Sequence, residues 1–331
     1  MTPPIVAFFN AKSGVGKTTL AYHVGWMLRE LGRSVVVLDL DPQANLTASF
    51  LDDDRVEQLW TDSPRHTVYG ALAPLFEGAG GVAQPYVEEI EDRLGLVPGD
   101  LRLAGTEQQL SQAWADSLSR DVRAFRVTTA FATVARLAAE QAGAELVLID
   151  VGPNLGAINR AAMVASDHVV VPVVPDLYSL QGLQTLGPTL RLWRQDWLDR
   201  VDRAPRPDLD LPGGGMSPAG YVILRPGIRV DRVVGAYDRW LRRVPASYRH
   251  SVMAEPADGA PQVADDPYCL GLLKHYHSLI SLGQEARKPV FLLRSADGAL
   301  GAYQRAVHEV FGHFEALTRR LLSAVGVDAP A

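Results

Sequence analysis

Residues 10–19 read NAKSGVGKTT, between an apolar run at 4–9 (PIVAFF) and a helical pattern at 20–31. A strand, a glycine-bearing loop and then Gly-Lys-Thr opening a helix is the arrangement that wraps nucleotide phosphates. Loop N–H groups and the positive end of the helix face the anion. Lys17 brings a mobile charge near the β and γ phosphates, and the Thr18 hydroxyl is placed to ligate Mg²⁺. The expected phosphate contacts are Ser13, Gly14, Val15, Gly16, Lys17, Thr18 and Thr19. The general pattern GxxxxGK[ST] has glycine where this chain has Ala11, and a second lysine, Lys12, stands at the start of the loop.

Working outward, apolar β-rich runs recur at 34–40 (SVVVLDL), 94–98, 145–150 (ELVLID), 168–174 (HVVVPVV) and 220–224 (GYVIL), with helical stretches between them. Alternation of this kind predicts an α/β fold, a mostly parallel central sheet with helices on both faces. The 331 residues suffice for one large domain carrying insertions, which we expect near 52–85, 205–218 and 254–277. The second and third of these are rich in Pro, Gly and Asp and read as surface loops. Apolar content of 47% and charged content of 21% are those of an ordinary globular protein. No apolar stretch reaches membrane-spanning length, and the N-terminus reads as a strand, which predicts a cytoplasmic protein. A single cysteine, Cys269, excludes an internal disulfide and any CxxC metal or redox motif. The net charge of −6 argues against a chain that is basic throughout but leaves room for a local basic patch.

Two acidic segments belong with the loop. Asp39 and Asp41 close the second strand in LDLDPQANLT, and strand C-termini border the ligand crevice of a doubly wound sheet. Phosphoryl transfer is carried by positioning and electrostatics, so a carboxylate beside the attacking water is what the reaction needs. Asp150 ends the buried strand ELVLID, a position suited to holding a Mg²⁺-bound water.

With Lys12 in the signature position, the loop resembles the deviant Walker A motif, KGGxGKT, of the ParA/MinD family of P-loop ATPases. Ser13 replaces its first glycine, which requires backbone there to avoid positive φ. LDLDPQANLT is similar to the family's DxDPQxN segment, and Asp150, Pro153 and Gly156 match its DxxPxxG. Residues 94–110, 168–186 and 284–293 extend the resemblance, which is closest to partition ATPases without an N-terminal DNA-binding domain. Residues 52–85 have no clear family counterpart, and Arg225 and Pro226 stand where a base-contacting Asn is common. The resemblance implies ATP and Mg²⁺ as ligands. It makes Asp41 the residue that orients the attacking water, with Thr18, Asp39 and Asp150 around the metal. Lys12 would reach the nucleotide of a second subunit, giving an ATP-driven homodimer whose slow hydrolysis a ParB-like or other partner stimulates.

The load on such a switch is less legible. Nonspecific DNA binding is supported by a basic helical stretch at 229–243, in which Arg229, Arg232, Arg239, Arg242 and Arg243 fall mostly on one face. Arg191, Arg194, Arg200 and Arg203 form a second cluster. Asp231 and Asp238 interrupt the run, so a solvated structural helix stays open, as does a protein cargo without a DNA role. A membrane switch would need a free C-terminal amphipathic helix. Residues 306–322 have the apolar spacing but few basic residues, and are expected to pack on the sheet, so no membrane is expected. Cluster chemistry is disfavoured by a lone Cys269 in an expected loop. A ligase would need a substrate pocket that the sequence does not disclose. His275 and His277, two apart in a helix, would not share a metal. A phosphate loop starting at residue 10 also argues against operator-specific autoregulation.

Overall fold

In the computed structural model, which describes residues 2–206, 209–224, 234–274 and 276–327, eight strands form one sheet. The strands are β1 (Ile5–Phe8), β2 (Val35–Asp39), β3 (Glu88–Glu91), β4 (Leu94–Val97), β5 (Leu146–Asp150), β6 (His168–Val173), β7 (Ser217–Leu224) and β8 (Cys269–Leu273). Their spatial order is β3-β4-β2-β5-β1-β6-β7-β8, and every pairing is parallel except β3 with β4. The helices are α1 (Lys17–Glu30), α2 (Asn45–Phe50), α3 (Asp53–Thr61), α4 (Val68–Phe76), α5 (Glu107–Asp116), α6 (Val122–Thr128) and α7 (Ala130–Ala142). They continue with α8 (Ala157–Ala165), α9 (Leu177–Val201), α10 (Val234–Leu241), α11 (Val244–Tyr248), α12 (His277–Ala286) and α13 (Ala302–Ala324).

The strand side chains alternate between two apolar cores. Val36 and Leu38 of β2 join Ile149, Phe131 and Leu183 on one face; Val35 and Val37 join Leu20, Met27 and Phe314 on the other. Because each central strand is buried on both faces, its run is nearly all apolar, and these are the strands that the sequence discloses. Parallel pairing brings the C-terminal ends of β1, β2 and β5 to one edge, where Asp39 stands beside Asp150 in register.

Two strands depart from expectation. β3 reads EEIE, an antiparallel edge whose charged residues hide its period; its Glu88 is held by Arg55 in a bidentate pair at 2.9 and 2.8 Å. β8 puts Cys269 in a strand rather than a loop, buried at the sheet's other edge. Residues 52–85 form α3 and α4, whose Leu59, Val68, Leu72 and Leu75 enter the cores. Ser217 and Pro218 open β7 instead of closing a loop. Helix α13 packs as expected, with Val310, Phe314, Leu317 and Leu321 buried.

Candidate nucleotide-binding site

The loop after β1 is held at its base by two bonds to β6. Phe9 N–H donates to the Val170 carbonyl at 3.0 Å, and Asn10 Nδ2 to the Pro172 carbonyl at 2.7 Å. Only two of its residues have left-handed backbone, Gly14 (φ 69°) and Gly16 (φ 77°); Ser13 does not, so a serine fits. At Gly16 a β-carbon would also lie 2.7 Å from Leu224 Cδ2. Gly16 caps α1 without a side-chain acceptor, so the first N–H groups of the helix, from Lys17 to Thr19, are open to an anion.

The two lysines of the loop are placed differently. Lys17 is 7% exposed, and its Nζ donates only to the Lys12 carbonyl, at a long 3.3 Å. Burial lowers its proton affinity, against the pull of the Asp150 and Asp41 carboxylates. Lys12 points out of the loop. Its Nζ meets Asp176 Oδ2 at 2.5 Å and Ser179 Oγ at 3.1 Å. Asp176 caps α9, accepting from Ser179 N–H at 2.7 Å. Burial opposes ionisation of Asp176, but Lys12 and the Ser179 N–H outweigh it and hold the carboxyl below its ordinary value.

Three carboxylates stand at the C-terminal ends of β2 and β5. Asp41 is buried; its Oδ1 accepts from Gln43 N–H at 3.0 Å, and a β-carbon on Gly152 would approach that oxygen to 3.3 Å. Asp39 is fully buried and turned towards α2, with Oδ2 accepting from the Thr47 N–H at 2.8 Å and the Thr47 hydroxyl at 2.7 Å. Burial pushes the Asp39 carboxyl up to about 7, although the Thr47 bonds hold it back. Asp150 is fully buried too, and neither of its oxygens has a hydrogen-bond partner among the described residues. Burial and then Asp39 raise its proton affinity well above the ordinary carboxylate range. The Thr18 hydroxyl draws it partly back as a near contact, without sound hydrogen-bond geometry. Two orphaned buried oxygens beside a threonine hydroxyl fit a hydrated divalent cation, which would supply the missing donors. Among the described residues, no three His, Cys, Asp or Glu side chains converge as direct ligands.

Open space flanks the loop on both sides. A cleft of about 620 Å³ runs past Lys17, Thr18, Asp41, Asn45 and Gln284, and a hollow of about 460 Å³ runs past Lys12, Asp176, Leu224 and Tyr276. A further hollow of about 820 Å³ lies apart from this chemistry between the α4 region and α7.

The basic stretch divides. Arg229 and Arg232 lie outside the described residues. Arg239, Arg242 and Arg243 are exposed, and the guanidiniums of Arg239 and Arg243 sit 4.8 and 5.0 Å from the Trp240 ring centroid. In the second cluster, by contrast, Arg191 donates to the Ser251 and Val252 carbonyls, and Arg194 to the Met216 carbonyl. Arg200 is buried on Trp114, donating to its carbonyl and to Ser117 Oγ. Arg191 and Arg203 are exposed, yet Arg191, Arg194 and Arg200 each donate to backbone carbonyls, which sets this cluster apart from the arginines of α10. Asp176 and Thr47 are site residues to which sequence reasoning assigned no role. The D-x-x-S spacing of an N-cap before α9 was the available signal for Asp176.

The fold and the phosphate loop define a P-loop ATPase. Residues 4–201 match a family profile described as an AAA domain. The sporulation initiation inhibitor protein Soj of Bacillus subtilis (strain 168) is 33% identical over 271 residues, 81% of this chain and 93% of Soj. The chromosome partitioning protein ParA of Caulobacter vibrioides (strain NA1000 / CB15N) is 30% identical over 212 residues, 63% of this chain and 67% of that one. A Corynebacterium diphtheriae protein of known crystal structure shares the fold, with a TM-score of 0.72 at 21% identity, covering 97% of this chain and 98% of that one. This chain belongs to the ParA/MinD family of P-loop ATPases.

Proposed function

We propose that the chain is a Mg²⁺-dependent ATPase that closes into a homodimer around two ATP molecules and reopens after hydrolysis. The carrying observation is the outward Lys12, parked on Asp176 at the rim of the site while Lys17 stays inside. A cation at the rim is placed to reach a nucleotide on a facing subunit, where it would stabilise charge developing on the γ phosphate. Around it, Tyr178 (75% exposed), Leu177 and Leu155 present apolar surface to solvent beside the loop, as an unassembled interface does.

Within one subunit, the 13–19 backbone and Lys17 bind the phosphates. Thr18 would take a Mg²⁺ position, with Asp150 accepting from its water; Asp39 would act through Thr47 and Asp41 rather than as a direct ligand. Bound Mg²⁺ neutralises phosphate charge. Asp41 orients a water for attack on the γ phosphorus, whose bond to the ADP oxygen breaks. Slow turnover follows until a partner protein completes the arrangement.

We propose nonspecific DNA as the load, for partition or positioning. The support is the exposed Arg239, Arg242 and Arg243 together with the partition proteins among its relatives. A protein cargo is the second reading, favoured by the acidic residues that interrupt the run. A membrane load is not supported. Among the described residues no helix is long and apolar enough to cross a membrane, and the apolar face of α13 is buried in the core. The test is duplex binding by Asp41→Ala with ATP and Mg²⁺ against ADP, across a salt series. Salt-sensitive, ATP-dependent binding is expected. An ATP-dependent dimer that ignores DNA would transfer the reading to a protein cargo.

A further inference from the structure

The backbone of Gly99 is gripped from both sides. Its N–H donates to Thr47 Oγ1 at 2.7 Å, and its carbonyl accepts from Trp60 Nε1 at 2.9 Å. Thr47 is buried, and its hydroxyl gives its one proton to Asp39 Oδ2 at 2.7 Å while accepting from Gly99. Asp39 Oδ1 in turn faces Asp41 N–H at 3.3 Å. Three residues, Gly99, Thr47 and Asp39, therefore join Trp60 of α3 to the backbone of Asp41. The approach is close: a β-carbon on Gly99 would stand 2.8 Å from the Asp39 carboxylate.

The residues flanking Gly99 are tied to the same segment. Pro98 accepts from Val68 N–H at 2.8 Å. Asp100, fully buried, accepts from the Thr67 hydroxyl at 2.8 Å and from Arg65 at 3.0 Å. Arg65 also lines the hollow of about 820 Å³, so this chain of bonds has an outward end. Its inward end reaches a strained place. Ala44, between Asp41 and Thr47, has left-handed backbone (φ 52°), which a β-carbon disfavours and which the surrounding bonds must hold.

We propose that Thr47 is a positioning residue for Asp41, and that the Gly99 backbone couples the α3–α4 segment to the rate of ATP hydrolysis. This rests on the reading of Asp41 as the residue that orients the attacking water. Nucleotide affinity is set by the loop at 10–19 and is untouched by the relay. Turnover depends on where Asp41 sits, and a small displacement of a group that orients water lowers the rate steeply.

The experiment compares the full chain with Thr47→Val, Thr47→Ser, Trp60→Phe and the Thr47→Val/Trp60→Phe double variant. Thr47→Val keeps the shape and deletes the hydroxyl; Thr47→Ser restores it; Trp60→Phe deletes only the indole N–H end of the relay. Steady-state ATP hydrolysis, equilibrium binding of a fluorescent ATP analogue and Tm are measured. Thr47→Val and Trp60→Phe should each lower kcat about fivefold, with KM and analogue affinity within about twofold of the parent. Thr47→Ser should turn over like the parent. The double variant should be no slower than the slower single, because both cut one path. Unchanged kcat in both single variants would overturn the proposal, as would additive losses or a Thr47→Ser variant as slow as Thr47→Val. Parent turnover that survives Lys17→Ala would instead overturn the ATPase reading, and the relay with it.

Discussion

Two cation-bearing regions of this molecule are built on different principles. The loop after β1 gathers Lys12, Lys17 and the helix-terminal N–H groups within ten residues, and the backbone itself sets their geometry. Along α9 and α10 arginines recur at helical spacing too, yet the similarity ends with the pattern. Arg191, Arg194 and Arg200 are bonded to backbone carbonyls of the interior, whereas Arg239, Arg242 and Arg243 stay at the surface. A site made of contiguous backbone is therefore readable from spacing. A site made of long side chains is not, because a guanidinium five atoms from its backbone finds whichever acceptors the tertiary fold brings near.

The comparison breaks first at Lys17. If the loop is the phosphate site, Lys17→Ala should weaken nucleotide binding by about a thousandfold, since it removes a charge-assisted contact and leaves Asp150 and Asp41 uncompensated. Titration with a fluorescent ATP analogue checks this, and near-parent affinity would remove the loop from the reading. Asp41→Ala separates binding from turnover. Nucleotide affinity should persist while kcat falls about a hundredfold and an ATP-bound dimer accumulates in light scattering. Undiminished hydrolysis would take Asp41 out of the mechanism.

On the arginine side, Arg200→Met tests whether α9 is structural. The change removes two donors from the Trp114 carbonyl, which Arg200 meets through Nε and Nη2 at 3.1 and 3.0 Å and which keeps the Ser117 hydroxyl at 2.8 Å, and it removes a cation 3.9 Å from the Trp114 ring centroid. Stability should drop by about 2 kcal/mol, read as the shift in urea midpoint, with DNA affinity unmoved. A DNA defect without loss of stability would mean that the buried placement of Arg200 has been misjudged.

The same contrast explains what could be read in advance. β2, β5 and β6 are legible because burial on both faces leaves long apolar runs. β3 is hidden because an edge strand is protected by charge, and β8 because five residues after a Pro- and Asp-rich loop carry too short a signal. In the site, Lys17, Thr18, Asp41 and Asp150 lie in motifs whose geometry is local. Asp176 escaped because its partner Lys12 is 164 residues away, and Thr47 because Gly99 is 52 residues away. Their side chains belong to common N-cap and helix types, and only the fold shows what they hold. Residues 52–85, expected as an insertion, form α3 and α4, whose Leu59, Val68 and Leu72 join cores assembled from distant strands.

The finest test of the comparison lies on α10. Arg239→Glu/Arg242→Glu/Arg243→Glu alters three side chains that are exposed and lack ion pairs with any carboxylate among the described residues, so the fold should tolerate the change. Trp240 loses two stacked cations but stays half-buried, a cost of about 1 kcal/mol for exposed pairs. If α10 meets phosphates, binding of the ATP-bound dimer to a random duplex should weaken roughly tenfold at 0.1 M salt, and the dependence of log K on log salt should flatten. ATP turnover and dimerisation, set at the loop after β1, should keep their parent values. A lower affinity with an unaltered salt slope would point to a change of shape rather than of phosphate contacts. Full retention of DNA binding would place α10 with α9, as a helix whose arginines only solvate and pack.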